Sequence, residues 1–229
     1  MGRLILVRHG QASFGAADYD QLSALGAQQS EALGRWWQDR DFVPDALYEG
    51  QCRRHIQTGD ALREVMAGLP AAAAAEGFNE YPAFELLKRV QPLLQEDPEF
   101  AALIEGLRAG DGRATQKLIQ AVTLRWARGD LDVEGVETWV AFRARVEAQV
   151  KTLLAAHGQG AKTVVALTSA GPISAAVGMA LGLTHARCME LSWNLYNAST
   201  TTFLFSRDRF TLSAFNVTSH LPEEMITYR

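Results

Sequence analysis

The sequence predicts an α/β protein, a three-layer α/β/α arrangement with a mostly parallel central sheet and a helical insertion. Three observations predict it. Leu4-Ile5-Leu6-Val7 and the 162–167 segment KTVVAL are short continuous apolar runs rich in β-formers, the signature of strands buried on both faces. Helical patterns separate such strands, and this alternation argues for helices packed on both faces of a sheet. Each run ends in a polar, glycine-containing turn, Arg8-His9-Gly10 and Thr168-Ser169-Ala170-Gly171. Open α/β sheets place ligands at the carboxyl ends of their strands, so if the two strands are neighbours both turns face one crevice.

The elements follow in order. After the first strand, Ser23 caps a helix with apolar positions Leu25, Leu33, Trp36 and Trp37, ending near Asp39. Ala46-Leu47-Tyr48 is a weak second strand. Residues 54–66 read as a helix, with Ile56, Leu62, Val65 and Met66 at helical spacing. Residues 67–77 (AGLPAAAAAEG) read as a loop or frayed linker. From 92 to 135 strand signals vanish, and helical pieces at 100–107 and 115–127 are broken by Gly110, Gly112 and Gly129. This is a helical insertion in a single domain spanning 1–229, since its flanks lack linker composition. Residues 134–157 give the clearest helix, with a stripe of Val136, Trp139, Val140, Val146, Val150, Leu153 and Leu154. Pro172 suits the first turn of an Ala-rich helix over 173–181. Residues 200–205 and 210–215 are two late strands.

The chain has 229 residues, 48% of them hydrophobic, enough for one sizeable core. Its net charge of −4 and pI near 5.8 supply no global field for nucleic acid or an anionic membrane. An anionic ligand must be caught by a local basic cluster. Cys52 and Cys188 read as unpaired thiols of a reducing compartment. The apolar run near the start is too short for a signal peptide, and no stretch approaches the ~20 apolar residues of a membrane helix. The sequence therefore reads as a soluble cytoplasmic protein. Its histidines, at 9, 55, 157, 185 and 220, show no metal-ligand spacing, so neither a metal nor another cofactor is expected. Oligomeric state is open, and a homodimer is compatible with the sequence.

Arg8 and His9 are poor core residues, because buried charges need partners, and Gly10 permits close backbone approach to a ligand. LILVRHGQAS at 4–13 resembles the opening of the histidine phosphatase, or phosphoglycerate mutase-like, superfamily. That resemblance implies a second arginine in a helix-start motif Arg-Ala-x-Gln-Thr-Ala. Here Arg54-His55-Ile56-Gln57-Thr58-Gly59 is similar, with the Gln-Thr pair fixing the register on Arg54 and leaving Arg53 to the surface. The family often has Ser four residues before this arginine, where Gly50 stands. Its acid commonly follows Leu-Asn. Phe78-Asn79-Glu80 resembles that, so Glu80 is the candidate and Glu85 the second choice. The family's second histidine lies in a Val-Ser-His-Gly-Gly-like turn, and Ser169 falls at its position.

The resemblance implies a nucleophilic His9, phosphate binding by Arg8, Arg54 and Ser169, and a catalytic Glu80 and Ser169. Two arginines match a phosphate dianion with planar, permanently charged donors, and their charge disfavours the imidazolium of His9. His9 then attacks phosphorus, giving a phosphohistidine that water hydrolyses. Glu80 protonates the leaving alkoxide and later activates water. A serine at 169 offers a neutral hydrogen bond in place of a charge-assisted one, which predicts weaker catalysis or a shifted substrate. The function implied is a phosphomonoesterase for a small phosphorylated metabolite. A phosphomutase and a non-catalytic phosphate-ester- or protein-binding module on the same fold are the alternatives. Substrate-reading residues are expected on the 92–135 insertion and the 11–19 loop.

Overall fold

The computed structural model describes residues 1–13, 20–94, 97–158, 160, 162–206 and 208–228. The loop expected to read substrate thus lies outside the described residues over 14–19. In chain order the elements are β1 (Gly2–Arg8), α1 (Ala24–Gln38), β2 (Ala46–Glu49), α2 (Arg53–Val65), β3 (Ala72–Ala74), α3 (Ala83–Leu94), α4 (Pro98–Arg108) and α5 (Gly112–Arg128). There follow α6 (Trp139–His157), β4 (Thr163–Thr168), α7 (Ala170–Leu181), α8 (His185–Ser192), β5 (Thr200–Phe205) and β6 (Phe210–Val217). The six-stranded sheet runs β3-β2-β4-β1-β5-β6. Strands β3, β2, β4 and β1 are parallel, while β5 and β6 add antiparallel to the β1 edge.

The two apolar runs are neighbours, as the sequence predicts. Register pairs Leu4 with Val164 and Arg8 with Thr168, so both strands end at the same level. Successive side chains of a strand point to opposite faces. Ile5, Val7, Val165 and Leu167 meet Leu33 and Trp37 of α1 and Leu62 of α2 on one face. Leu4, Leu6, Val164 and Ala166 join the larger core on the other, with Val146 and Val150 of α6 and Ile173 and Val177 of α7. Burying such an aliphatic side chain is worth about 1.5–3 kcal/mol. These contacts form the three layers and hold the central strands in register.

Ser23 caps α1 by accepting from Gly26 N–H at 3.1 Å. Elsewhere the sequence reading needs correction. Ala72–Ala74 is an edge strand beside β2; alanine carries no strand signal, and the free edge of β2 selects the conformation. Helix α3 precedes the expected insertion and includes Pro92. The clearest helix begins at Trp139, with Thr138 accepting from Ala141 N–H at 3.2 Å, so residues 134–138 stand outside it. Val140 is 62% and Ile56 40% exposed, off the buried stripes assigned to them. Helix α8, capped by Thr184, gave no periodic signal. Phe100 and Ile104 of α4 and Leu118, Val122 and Trp126 of α5 are buried in the larger core with Leu4 and Leu6. No helix of the described residues is long and apolar enough to cross a membrane.

One close approach fixes the start of the first turn. A Cβ on Gly10 would lie 2.1 Å from the Gly26 carbonyl oxygen, and a Cβ on Gly26 2.1 Å from that of Gln11. The turn after β1 therefore rests on the backbone of α1. Gly26→Ala should destabilise the fold by at least about 1–3 kcal/mol, the usual cost of overpacking. Urea unfolding checks this, with a lowered midpoint at unchanged m-value expected.

Candidate active site

His9 and Arg8 sit where β1 ends. The backbone N–H of His9 donates to the Thr168 carbonyl at 2.8 Å, extending the parallel pairing one step beyond the strand. The His9 carbonyl accepts from Ala198 N–H at 3.1 Å and from Asn197 Nδ2 at 3.4 Å. Its side chain is 4% exposed, with Nδ1 2.6 Å from the Gly10 carbonyl. A carbonyl only accepts, so Nδ1 carries the proton and Nε2 presents its lone pair. Burial, then the charges of Arg54 and Arg8, hold His9 well below its ordinary pKa of 6.5. The ring is neutral at physiological pH, as a nucleophile requires.

Arg54 enters from the first turn of α2 and is buried. The Gln-Thr pair that set its register has structural work to do. Gln57 accepts from Leu22 N–H at 2.7 Å, and Thr58 Oγ1 accepts from Gly10 N–H at 3.2 Å while donating to the Arg54 carbonyl at 2.8 Å. Thr58 thus ties the helix bearing Arg54 to the turn bearing His9. Arg53 is exposed and points elsewhere than the cavity. Sequence reasoning missed Asp20, whose carboxylate accepts from Arg54 Nη1 at 2.5 Å and from Arg53 backbone N–H at 2.8 Å. No local motif marks it. A phosphate entering the site would compete with it for the guanidinium. Arg8 Nη1 donates to the Leu195 carbonyl.

Glu80 faces this group across the cavity. Its carboxylate accepts from Gly171 N–H at 3.3 Å and Tyr81 N–H at 3.1 Å, so it sits at the amino end of α7. A Cβ on Gly171 would lie 2.1 Å from Glu80 Oε1, which explains the glycine. Burial raises the Glu80 pKa above its ordinary 4.5, outweighing Arg54 and the two backbone donors. Glu85, the second choice, lines the same cavity, but its carboxylate pairs with Arg89 at 2.6 Å on the surface.

Ser169 lies elsewhere than the cavity wall. It is fully buried behind Arg54, accepting from Arg54 Nη2 at 3.3 Å and lying 2.7 Å from His55 Nε2. His55, also fully buried, has its ring centroid 5.7 Å from that of His9 with the planes tilted by 35°. The cavity itself measures about 360 Å³ and brings together Arg8, His9, Arg54 and Glu80 beneath Tyr81, Phe84, Ile119, Trp193 and Tyr228. Ile119 of α5 brings the helical insertion to the mouth, beside Phe84 of α3, which lies ahead of it. The described residues hold no group of three or more His, Cys, Asp or Glu that could hold a metal ion.

A neutral histidine between two arginines at the strand ends of an α/β sheet, opposite a carboxyl of raised proton affinity, makes a candidate site for a phosphate group. The chain belongs to the histidine phosphatase superfamily (branch 1), whose family model matches residues 4–102 and 102–218. No curated protein matches it. Among solved structures it is similar to phosphoserine phosphatase of Entamoeba histolytica, at 19% identity and TM-score 0.64 over 97% of this chain and 100% of the other. It is similar to a mycobacterial glucosyl-3-phosphoglycerate phosphatase, at 24% identity and TM-score 0.67 over 97% and 100%. Bacillus stearothermophilus YhfR is similar at 16% identity and TM-score 0.69 over 96% and 99%. At these identities the likeness is one of fold.

The geometry separates the adjacent arginines. Arg54→Lys, which loses the planar fork, should weaken inorganic phosphate binding by about tenfold or more, the scale of a charge-assisted hydrogen bond. Arg53→Ala should leave it near the wild-type value. Isothermal titration with phosphate decides.

Proposed function

We propose that the chain is a phosphomonoesterase acting on a small phosphorylated metabolite through a phosphohistidine on His9. The carrying observation is the neutral His9, with Nε2 free to attack, set between Arg8 and Arg54 and facing Glu80 in one cavity. Nε2 forms a bond to phosphorus while the ester P–O bond breaks. Glu80, in its acid form, gives its proton to the departing alkoxide and becomes a carboxylate. Water then attacks the phosphohistidine, losing a proton to Glu80 and releasing His9 and inorganic phosphate. Arg8 and Arg54 keep constant charge against the transferring oxygens throughout.

His9→Ala should abolish turnover of any phosphate ester, and rapid acid-free quench with labelled substrate should trap a phosphoprotein in the wild type alone. Full activity in His9→Ala would defeat the reading. The pH dependence follows from the shifts. His9 stays neutral well below pH 6.5, so protonation of the base does not limit kcat/KM there. Glu80 must be protonated, and its raised pKa is crossed as pH rises. Activity on alkyl phosphates should therefore be greatest on the acid side of neutrality and fall with rising pH. Glu80→Gln should remove that alkaline decline while slowing alkyl esters about 10²–10⁴-fold. An aryl phosphate, whose leaving group needs the proton less, should lose less.

The cavity also points to a substrate class. The similar structures include enzymes named for phosphoserine and glucosyl-3-phosphoglycerate, ligands with a carboxylate beside the phosphate. Among the described lining residues here the Lys and Arg side chains are Arg8 and Arg54, both engaged by the phosphate, which leaves no further lining Lys or Arg among those residues for a second anion. The remaining wall is largely apolar and aromatic, and an adjoining apolar cavity of about 200 Å³ between α3, α4 and α5 shares Phe84 and Ile119. A phosphate ester of an apolar or aromatic alcohol fits this wall. Phenyl phosphate should have a kcat/KM at least about tenfold above 3-phosphoglycerate, a difference near 1.4 kcal/mol, and the reverse order would exclude this class.

A further inference from the structure

Three departures from the family pattern meet at one point in space: Gly50 and His55, neighbours in sequence, and the distant Ser169. His55 Nε2 lies 2.7 Å from Ser169 Oγ, which accepts from Arg54 Nη2 at 3.3 Å. The guanidinium has donors only, so the hydroxyl accepts from it, and the hydroxyl proton is available to His55 Nε2. That arrangement needs a neutral imidazole, and burial with the neighbouring Arg54 charge keeps His55 neutral. On the far side of the ring, a Cβ at Gly50 would lie 2.3 Å from His55 Nδ1. Gly50 cannot retreat, because its N–H donates to the Leu167 carbonyl at 3.0 Å in the ladder of the sheet. The imidazole thus occupies space that glycine at 50 leaves open.

We propose that His55 is a positioning residue of the phosphate site, holding the Arg54 guanidinium in its phosphate-facing pose through the Ser169 hydroxyl. The imidazole that the family pattern places on the turn after β4 is here supplied from α2, behind the arginine. Ser169 links the two from outside the lining of the cavity. A histidine that merely filled the core would tolerate an apolar side chain of similar volume. A histidine that orients Arg54 needs a polar atom at the position of Nε2, and the two roles part on that point. The role rests on the phosphate-site reading above.

The test is a series of variants with two readouts, kcat/KM for p-nitrophenyl phosphate and the Kd for inorganic phosphate. His55→Leu keeps volume without a polar atom and should lose about ten- to hundredfold in kcat/KM and loosen phosphate by about tenfold. His55→Gln keeps an amide within reach of Ser169 and should recover most of that loss. The double variant His55→Ala/Ser169→His returns an imidazole to the same space from the other element, and should exceed His55→Ala in both readouts. Wild-type values in His55→Leu would overturn the proposal. So would equal losses in the Leu and Gln variants with no gain in the double variant. Should His55→Leu fail to fold, Gly50→Ala displaces the imidazole by its Cβ. It should then be harmful alone and neutral in the His55→Ala background, whereas additive effects would count against the coupling. If the wild type binds phosphate but hydrolyses nothing, the phosphatase reading fails, and the Kd series still decides the role of His55.

Discussion

The parallel pairing of β1 with β4 is the constraint on which the site depends. Arg8 is level with Thr168, and the His9 N–H continues the ladder to the Thr168 carbonyl at 2.8 Å. That bond brings the turn carrying His9 against the turn carrying Ser169 and the start of α7. The remaining parts are tied to this corner by side chains rather than by strands. Thr58 links α2 to Gly10, Thr168 Oγ1 donates to the Phe78 carbonyl at 2.7 Å just before Glu80, and Gly171 N–H meets Glu80 itself. Each tie fixes one catalytic candidate relative to the same two strand ends. Short ties of this kind give the sub-ångström placement that phosphoryl transfer demands.

Electrostatically the site sets two groups against each other. The same arginines that disfavour a charged imidazole favour a charged carboxylate, so one field pulls the proton from both His9 and Glu80, which uncharges the first and charges the second. For His9, burial and arginine charge agree, and the ring is driven neutral. For Glu80 they disagree, and burial wins. A neutral imidazole beside a carboxyl of raised proton affinity, with Arg8 and Arg54 lining the same cavity, suits a dianion. Binding that dianion offsets the cationic field and raises the proton affinity of Glu80 further. The carboxyl therefore holds its proton more firmly when an anion is bound.

How much of this was legible in the sequence depended on how local the signal was. Leu4-Ile5-Leu6-Val7 and KTVVAL announce buried strands because both faces of each are covered. Ser23 announces a helix start because its side chain serves its own turn. Ala72–Ala74 was illegible, since its strand conformation is imposed by the edge of β2 and not by three alanines. Asp20 was illegible for the same reason, because it becomes part of the site only through Arg53 and Arg54 of a distant helix. Arg8, His9, Arg54 and Glu80 could be singled out because a family pattern recorded a geometry that spacing alone does not contain. The sequence pattern singles out Ser169, yet its neighbours decide what it does, and they are Arg54 and His55 rather than the cavity.

The same point governs how a missing residue should be read. Compared position by position, Ser169 is a loss, Gly50 a small irregularity and His55 an unremarked substitution beside an arginine. In space they form one packed contact, in which the ring of His55 fits only because 50 has no Cβ. A serine restored at 50 would bring its Cβ to the same 2.3 Å from Nδ1, so it is incompatible with the imidazole where it stands. An enlarged side chain at 169 would likewise contest the volume that His55 fills, since both residues are fully buried. Each departure is therefore conditional on the others, and none can be reverted alone without strain in a close-packed interior. What a site retains under such exchange is the arrangement of donors around the anion. The element that supplies each donor is free to change, as long as the packing behind the arginine changes with it.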